Sequence, residues 1–196
     1  MVMTDPNIRA FVAIPLPEPI KDELERLIRW FIDARITGVR WIPTGNIHLT
    51  LKFLGQASKS DLETFLNRLT TTAQNHDSFD IAIGRIGAFP NIRRARVVWA
   101  GLQAPPELIR LQKEIDVQAA TIGCLPEARP FLPHLTFGRV DKNISPTELT
   151  LLAAALNKIT GHEIGRFQVK QFVLYRSDLR PSGAVYTRLA QFDLNH

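Results

Sequence analysis

One polar pair recurs at the same spacing in two apolar segments of this chain, NIHLTLKFLG (residues 46–55) and PFLPHLTFGRV (residues 130–140). Each segment is a short apolar run, and each predicts a strand. Successive side chains of a strand point to opposite faces. His48, Thr50 and Lys52 therefore share one face, while Ile47, Leu49, Leu51 and Phe53 share the other. In the second copy His134 and Thr136 lie together, opposite Leu135 and Phe137. Pro133 suits a strand start or edge, because proline has no N–H for a ladder. Packing alone gives no reason for an imidazole and a hydroxyl to recur side by side. A shared functional site does.

The remaining pattern alternates strands and helices. Strands are expected at Arg9–Leu16, within Trp41–Gly55, and at Phe79–Phe89, Ala95–Leu102 and Phe131–Val140. A hairpin of Gly165–Arg176 with Ala184–Asp193 is expected around the turn-rich DLRPSG. Helices are expected over Glu18–Ala34, Ser60–Asn75, Pro106–Ile122 and Ser145–Ile159, with Pro19 in the first turn and Ser-Pro-Thr-Glu opening the last. No low-complexity tract divides the chain. The expected fold class is α+β, with two packed lobes that look like a distant duplication, each contributing one His-Leu-Thr strand.

The 196 residues suffice for one large domain or two small lobes. Cys124 is the only cysteine, so no internal disulfide can form and a reducing cytoplasm is the expected setting. No run is long and apolar enough for a membrane span, and the start lacks a signal-peptide pattern. A net charge of +5 and a pI near 9.7 suit an anionic partner, and equally suit an ordinary basic protein. The arginines gather at Arg93, Arg94 and Arg96 and again at Arg176, Arg180 and Arg188. Such clusters fit a phosphate-lined groove better than a long nucleic-acid stripe.

Two imidazoles facing one centre can act as one base and one acid near neutral pH. Threonine hydroxyls beside them can hold the non-bridging oxygens of a phosphoryl group. This is a layout for phosphodiester cleavage without a metal: a neutral histidine takes a proton from water, and a protonated one gives a proton to the leaving alkoxide. No phosphate-binding glycine loop, nucleophile elbow or paired-cysteine zinc pattern competes with it.

Paired H-x-T motifs in such a chain resemble the two-histidine (2H) phosphoesterase superfamily, and within it the RNA 2′,3′-cyclic phosphodiesterases historically named 2′-5′ RNA ligases. The blocks RAFVAIPLP, NIHLTLKFLG, FPNIRRARVVWAGL, PFLPHLTFGRV and LYRSDLRPSGAVY carry that resemblance in order, across nearly the whole chain. It implies one bilobal domain over residues 1–196, two pseudo-symmetric lobes of antiparallel sheet flanked by helices, and a central cleft faced by the two H-x-T strands. It implies opening of a 2′,3′-cyclic phosphate on RNA or a small cyclic nucleotide to a 2′-phosphate, with no metal or cofactor; the expected enzyme is a cytoplasmic monomer. Carried over, the site is His48, Thr50, His134 and Thr136, with Thr50, Thr136 and Arg139 binding phosphate. His48 is expected as the general acid and His134 as the general base, and the reverse order stays open because the sequence does not orient the substrate.

Arg139 lies out of parity with His134, so a bulge or bend near Gly138 is expected to return it to the site. Lys52 has cleft parity, or else pairs with an acid as scaffold. Phe11, Tyr175, Arg176 and Ser177 are expected to border the cleft or to serve structure, and Arg93, Arg94 and Arg96 to steer RNA or lie in a solvated turn. His76, His162 and His196 lack a threonine two residues on, and Cys124 reads as apolar filler. Three other readings compete: RNA 2′-5′ ligation on the same residues, a non-catalytic phosphate-binding module, and a histidine metal site.

Overall fold

Helices form where the apolar period is 3.6 and the ends are capped. The computed structural model describes residues 7–127, 129–181 and 183–195. Helix α1 (Glu18–Asp33) buries Ile20, Leu24, Leu27, Ile28 and Phe31 along one face. Helix α2 (Lys59–Gln74) begins where the Ser58 hydroxyl accepts from the Asp61 N–H. Helix α3 (Pro106–Ala120) starts on proline, and α4 (Pro146–Lys158) starts on a capping box of Ser145 and Glu148. Each lies within two residues of its sequence expectation. None is long and apolar enough to cross a membrane.

The strands are β1 (Ile8–Pro15), β2 (Val39–Trp41), β3 (His48–Ala57), β4 (Phe79–Phe89), β5 (Val97–Leu102), β6 (His134–Val140), β7 (Glu163–Val169), β8 (Gln171–Arg180) and β9 (Gly183–Asp193). All pair antiparallel in the order β7-β4-β5-β6-β3-β1-β8-β9, with β2 added to β6. The two halves of this sheet meet at one residue pair, Leu49 opposite Leu135. Helices α1 and α4 pack on the half containing β4 to β7, and α2 and α3 on the half containing β1, β3, β8 and β9. The architecture is α+β with two lobes, and the sheets of the lobes join at this seam.

Two expectations need correction. Gly165–Arg176 is not one strand: it breaks at Lys170 into β7, which pairs with β4, and β8, which pairs with β1. The apolar pattern runs on through Val169 and Phe172, both buried, so the chain crosses between lobes without a break in periodicity. Most of DLRPSG is also strand, because β8 continues through Asp178 and Leu179 to Arg180. Its Ser182 lies outside the described residues.

Candidate active site

Leu49 and Leu135 are almost wholly buried, so the residues on either side of each turn to the opposite face of the sheet. There His48, Thr50, His134 and Thr136 are all half-buried. The antiparallel register that sets Leu49 against Leu135 carries His48 towards Thr136 and Thr50 towards His134. Thr50 and His134 line one cleft, and the register turns His48 and Thr136 to the same side, so the four polar groups face one side of the seam between the lobes.

Both rings are tied back in the same way. His48 Nδ1 lies 2.9 Å from the Asn46 carbonyl and His134 Nδ1 2.7 Å from the Leu132 carbonyl. A carbonyl only accepts, so Nδ1 carries the hydrogen in each and Nε2 is left as the reactive nitrogen. A neutral ring then offers a lone pair at Nε2, and a protonated ring offers an N–H at the same atom.

The two environments differ. His48 stacks on Phe11 at 4.7 Å and meets Tyr186 edge-on at 5.2 Å. Burial pushes its pKa down from 6.5 to about 4, partly opposed by the bond to the Asn46 carbonyl. His134 meets one aromatic ring edge-on, Phe89 at 5.1 Å. A cleft of about 830 Å³ opens beside it, lined by Thr50, Phe53, Phe89, Arg96, Phe131 and Leu132.

The strands also share an irregularity. In β3 the pairing with β1 passes from Thr50 to Lys52 and skips Leu51, because Ala13 pairs with Thr50 and Val12 with Lys52. In β6 the pairing with β5 skips Phe137 between Thr136 and Gly138. Each bulge falls three residues after a histidine and reverses the alternation beyond it. Arg139, opposite Val97, thereby joins the face of His134 and Thr136; it is exposed and makes no side-chain hydrogen bond among the described residues. The irregularity expected at Gly138 is thus at Phe137. Gly138 has a different duty: a Cβ there would lie 2.9 Å from the Trp41 ring.

The matching bulge in β3 turns Lys52 off the face of His48 and Thr50, although it still lines the inner wall of the cleft beside Asp116. It turns inward, is 2% exposed, and places Nζ 2.7 Å from the Leu125 carbonyl and 2.5 Å from Asp116 of α3. Asp116 Oδ1 makes no hydrogen bond of good geometry, so the contact is an ion pair rather than an aligned bond. Lys52 is the scaffold of the alternative reading, and Phe53 takes its place on the site face. Phe11 and Tyr175 do border His48. Arg176 and Ser177 line a separate hollow with Arg9 and Gln56, with Arg176 paired to Asp178. Tyr186 carries no signal in the sequence beyond being an aromatic within the alternating AVYTRLA.

Arg96 lines the cleft and donates to the Asp141 and Lys142 carbonyls. His76 is paired with Glu114 and His162 with Glu23. His196 lies outside the described residues. The Cys124 thiol donates to the Leu54 carbonyl, and burial pushes its pKa up. Among the described residues no three His, Cys, Asp or Glu side chains gather as a metal site requires.

The model of the LigT-like phosphoesterase family matches residues 14–99 and 102–186. A protein of Methanothermobacter thermautotrophicus named RNA 2′,3′-cyclic phosphodiesterase is 34% identical over 96% of this chain and 100% of its own. One of the same name from Escherichia coli is 32% identical over 98% and 99%. Among solved structures, E. coli LigT complexed with 3′-AMP matches with a TM-score of 0.76 at 28% identity, over 97% of this chain and 99% of that one. TT0787 of Thermus thermophilus matches with a TM-score of 0.75 at 26% identity, over 95% and 98%.

Proposed function

From the premise that this chain belongs to the LigT-like phosphoesterase family, we propose that it hydrolyses RNA 2′,3′-cyclic phosphate ends to 2′-phosphates. The observation that carries the reading is the quartet at the seam. Two histidines with Nδ1 bound to carbonyls offer Nε2 on the face that also holds two threonine hydroxyls.

Water attacks phosphorus as His134 Nε2 takes its proton, and the P–O3′ bond breaks as His48 Nε2–H protonates the leaving 3′ oxygen. Thr50, Thr136 and the exposed Arg139 donate to the non-bridging oxygens as charge builds there. Free His48 is neutral at neutral pH because it is buried. Its acid role therefore draws on the bound phosphodiester, whose negative charge raises the imidazole pKa and supplies the proton's counter-charge. The two matched segments each contain one bulged His-Leu-Thr strand, which supports reading the chain as a duplicated unit with intertwined lobes. One chain supplies all five groups, which supports a monomer. A lone, unpaired cysteine supports a cytoplasmic setting.

The test is incubation of the protein, in chelator, with an RNA ending in a 2′,3′-cyclic phosphate. The expected product is the 2′-phosphate, with His48→Ala and His134→Ala each losing about 10²–10⁴-fold in rate. A 3′-phosphate product, or full turnover by either variant, contradicts the assignment.

A further inference from the structure

The cleft face of the β4-β5-β6 half extends beyond the quartet. Trp99 lies opposite Thr136, and Gly101 lies opposite His134, so both share the face of those residues. One strand further out, Gly87 lies opposite Trp99 and Phe89 opposite Val97. The Trp99 indole is laid over both glycines: a Cβ at Gly87 would meet its ring at 2.6 Å, and one at Gly101 at 3.1 Å. Its Nε1 is buried without a hydrogen-bond partner, so hydrogen bonding does not explain the placement.

Beside the half-buried ring is a second hollow of about 400 Å³, lined by Arg85, Asn91, Arg93 and Thr160 as well as Trp99. Arg85 is the extra residue of a bulge in β4, where the register shifts between Gly84 and Ile86. Its φ is +53°, a conformation that a side chain with a Cβ seldom adopts. Arg85 and Arg93 are both exposed, and neither makes a side-chain hydrogen bond or ion pair among the described residues. Phe89 links the hollow to the site, 5.1 Å from Trp99 and 5.1 Å from His134.

An aromatic plane with two free guanidinium groups, continuous with a phosphodiester site, has the chemistry of a nucleotide subsite. We propose that Trp99, Arg85 and Arg93 hold the nucleotide on the 5′ side of the terminal cyclic phosphate, its base on the indole and its phosphate between the arginines. This rests on the proposed hydrolysis at His48 and His134. It makes the enzyme selective for an RNA end over a free cyclic nucleotide, because the mononucleotide lacks the second base and the 5′ phosphodiester that these residues take.

The test compares cytidine 2′,3′-cyclic phosphate with an RNA tetranucleotide ending in the same group, for wild type, Trp99→Leu and Arg85→Ala/Arg93→Ala. Both arginines are exposed, so the double variant keeps the comparison usable if Trp99→Leu does not fold. The expected result is a tetranucleotide KM raised about tenfold, the loss of one base stack, with mononucleotide turnover within about twofold of wild type. Equal losses on both substrates, or none on either, overturn the subsite. Binding of a labelled tetranucleotide ending in 2′-phosphate, read by anisotropy, needs no turnover. If wild type leaves both cyclic phosphates intact, the hydrolysis reading fails, and the subsite then stands or falls on whether the double variant binds this RNA about tenfold more weakly.

Discussion

Burial that keeps a histidine neutral in the free protein couples folding to pH, and His48 gives the effect a definite size. Its pKa is about 4 in the folded chain against 6.5 as its ordinary value. Between those values the unfolded chain binds the proton and the folded chain does not, so stability falls as pH falls. The contribution is fully present above about pH 6.5. It is diminished by about 2 kcal/mol at pH 5 and by about 3 kcal/mol at pH 4, at about 1.4 kcal/mol per pH unit. Against a typical total of about 5–15 kcal/mol, that loss is measurable. The perturbation is His48→Gln, which removes the titration and leaves a polar side chain of similar reach. Urea unfolding of both proteins from pH 8 to pH 4 isolates the term, because the other titrating groups are common to both. The wild-type free energy should drop about 2 kcal/mol further than that of the variant between pH 8 and pH 5. Parallel curves would refute the reasoning, since they would mean that the Phe11, Tyr175 and Tyr186 surround does not desolvate the ring.

The other expectations concern the two bulged strands. Lys52→Met leaves Asp116 without its cation in a largely buried place, and should cost about 3–5 kcal/mol of unfolding free energy; adding Asp116→Asn should recover part of that, and no recovery would discount the ion pair. Gly138→Ala puts a methyl 2.9 Å from the Trp41 ring and should cost about 1–3 kcal/mol by the same measurement. Arg139→Ala should lower kcat/KM on a cyclic-phosphate RNA about 10²-fold with the unfolding midpoint unchanged, because the side chain is exposed and makes no internal hydrogen bond. An equal fall in stability would mark it as structural.

Much of this was legible in short windows of sequence. All four helices follow from a 3.6-residue period with Pro, Ser or Glu at the first turn. Parity alone placed His48 with Thr50 and His134 with Thr136, opposite the leucines that bury. Parity fails beyond Leu51 and Phe137, where an extra residue reverses the side chains that follow, in β3 as far as a second irregularity at Leu54. Glycine at 138 marks one bulge, but nothing beside Leu51 marks the other, so parity leaves Lys52 open between the cleft and a scaffold ion pair and puts Phe53 in the core. The split of residues 165–176 between the lobes was invisible for a related reason: Val169 and Phe172 are buried in different halves, and periodicity records burial without saying against what.

The sequence by itself determined which elements form, which four polar side chains share a purpose, and the family that uses them, because each of these depends on residues within a few positions or on ordered motifs. The tertiary structure decided that the His-Leu-Thr strands are neighbours at Leu49 and Leu135, that β9 brings Tyr186 to the ring of His48, and that one histidine is buried more deeply than the other. Those outcomes depend on contacts between residues far apart in the chain. The proton affinity of an imidazole in particular is set by the water it loses, which only the assembled lobes can exclude.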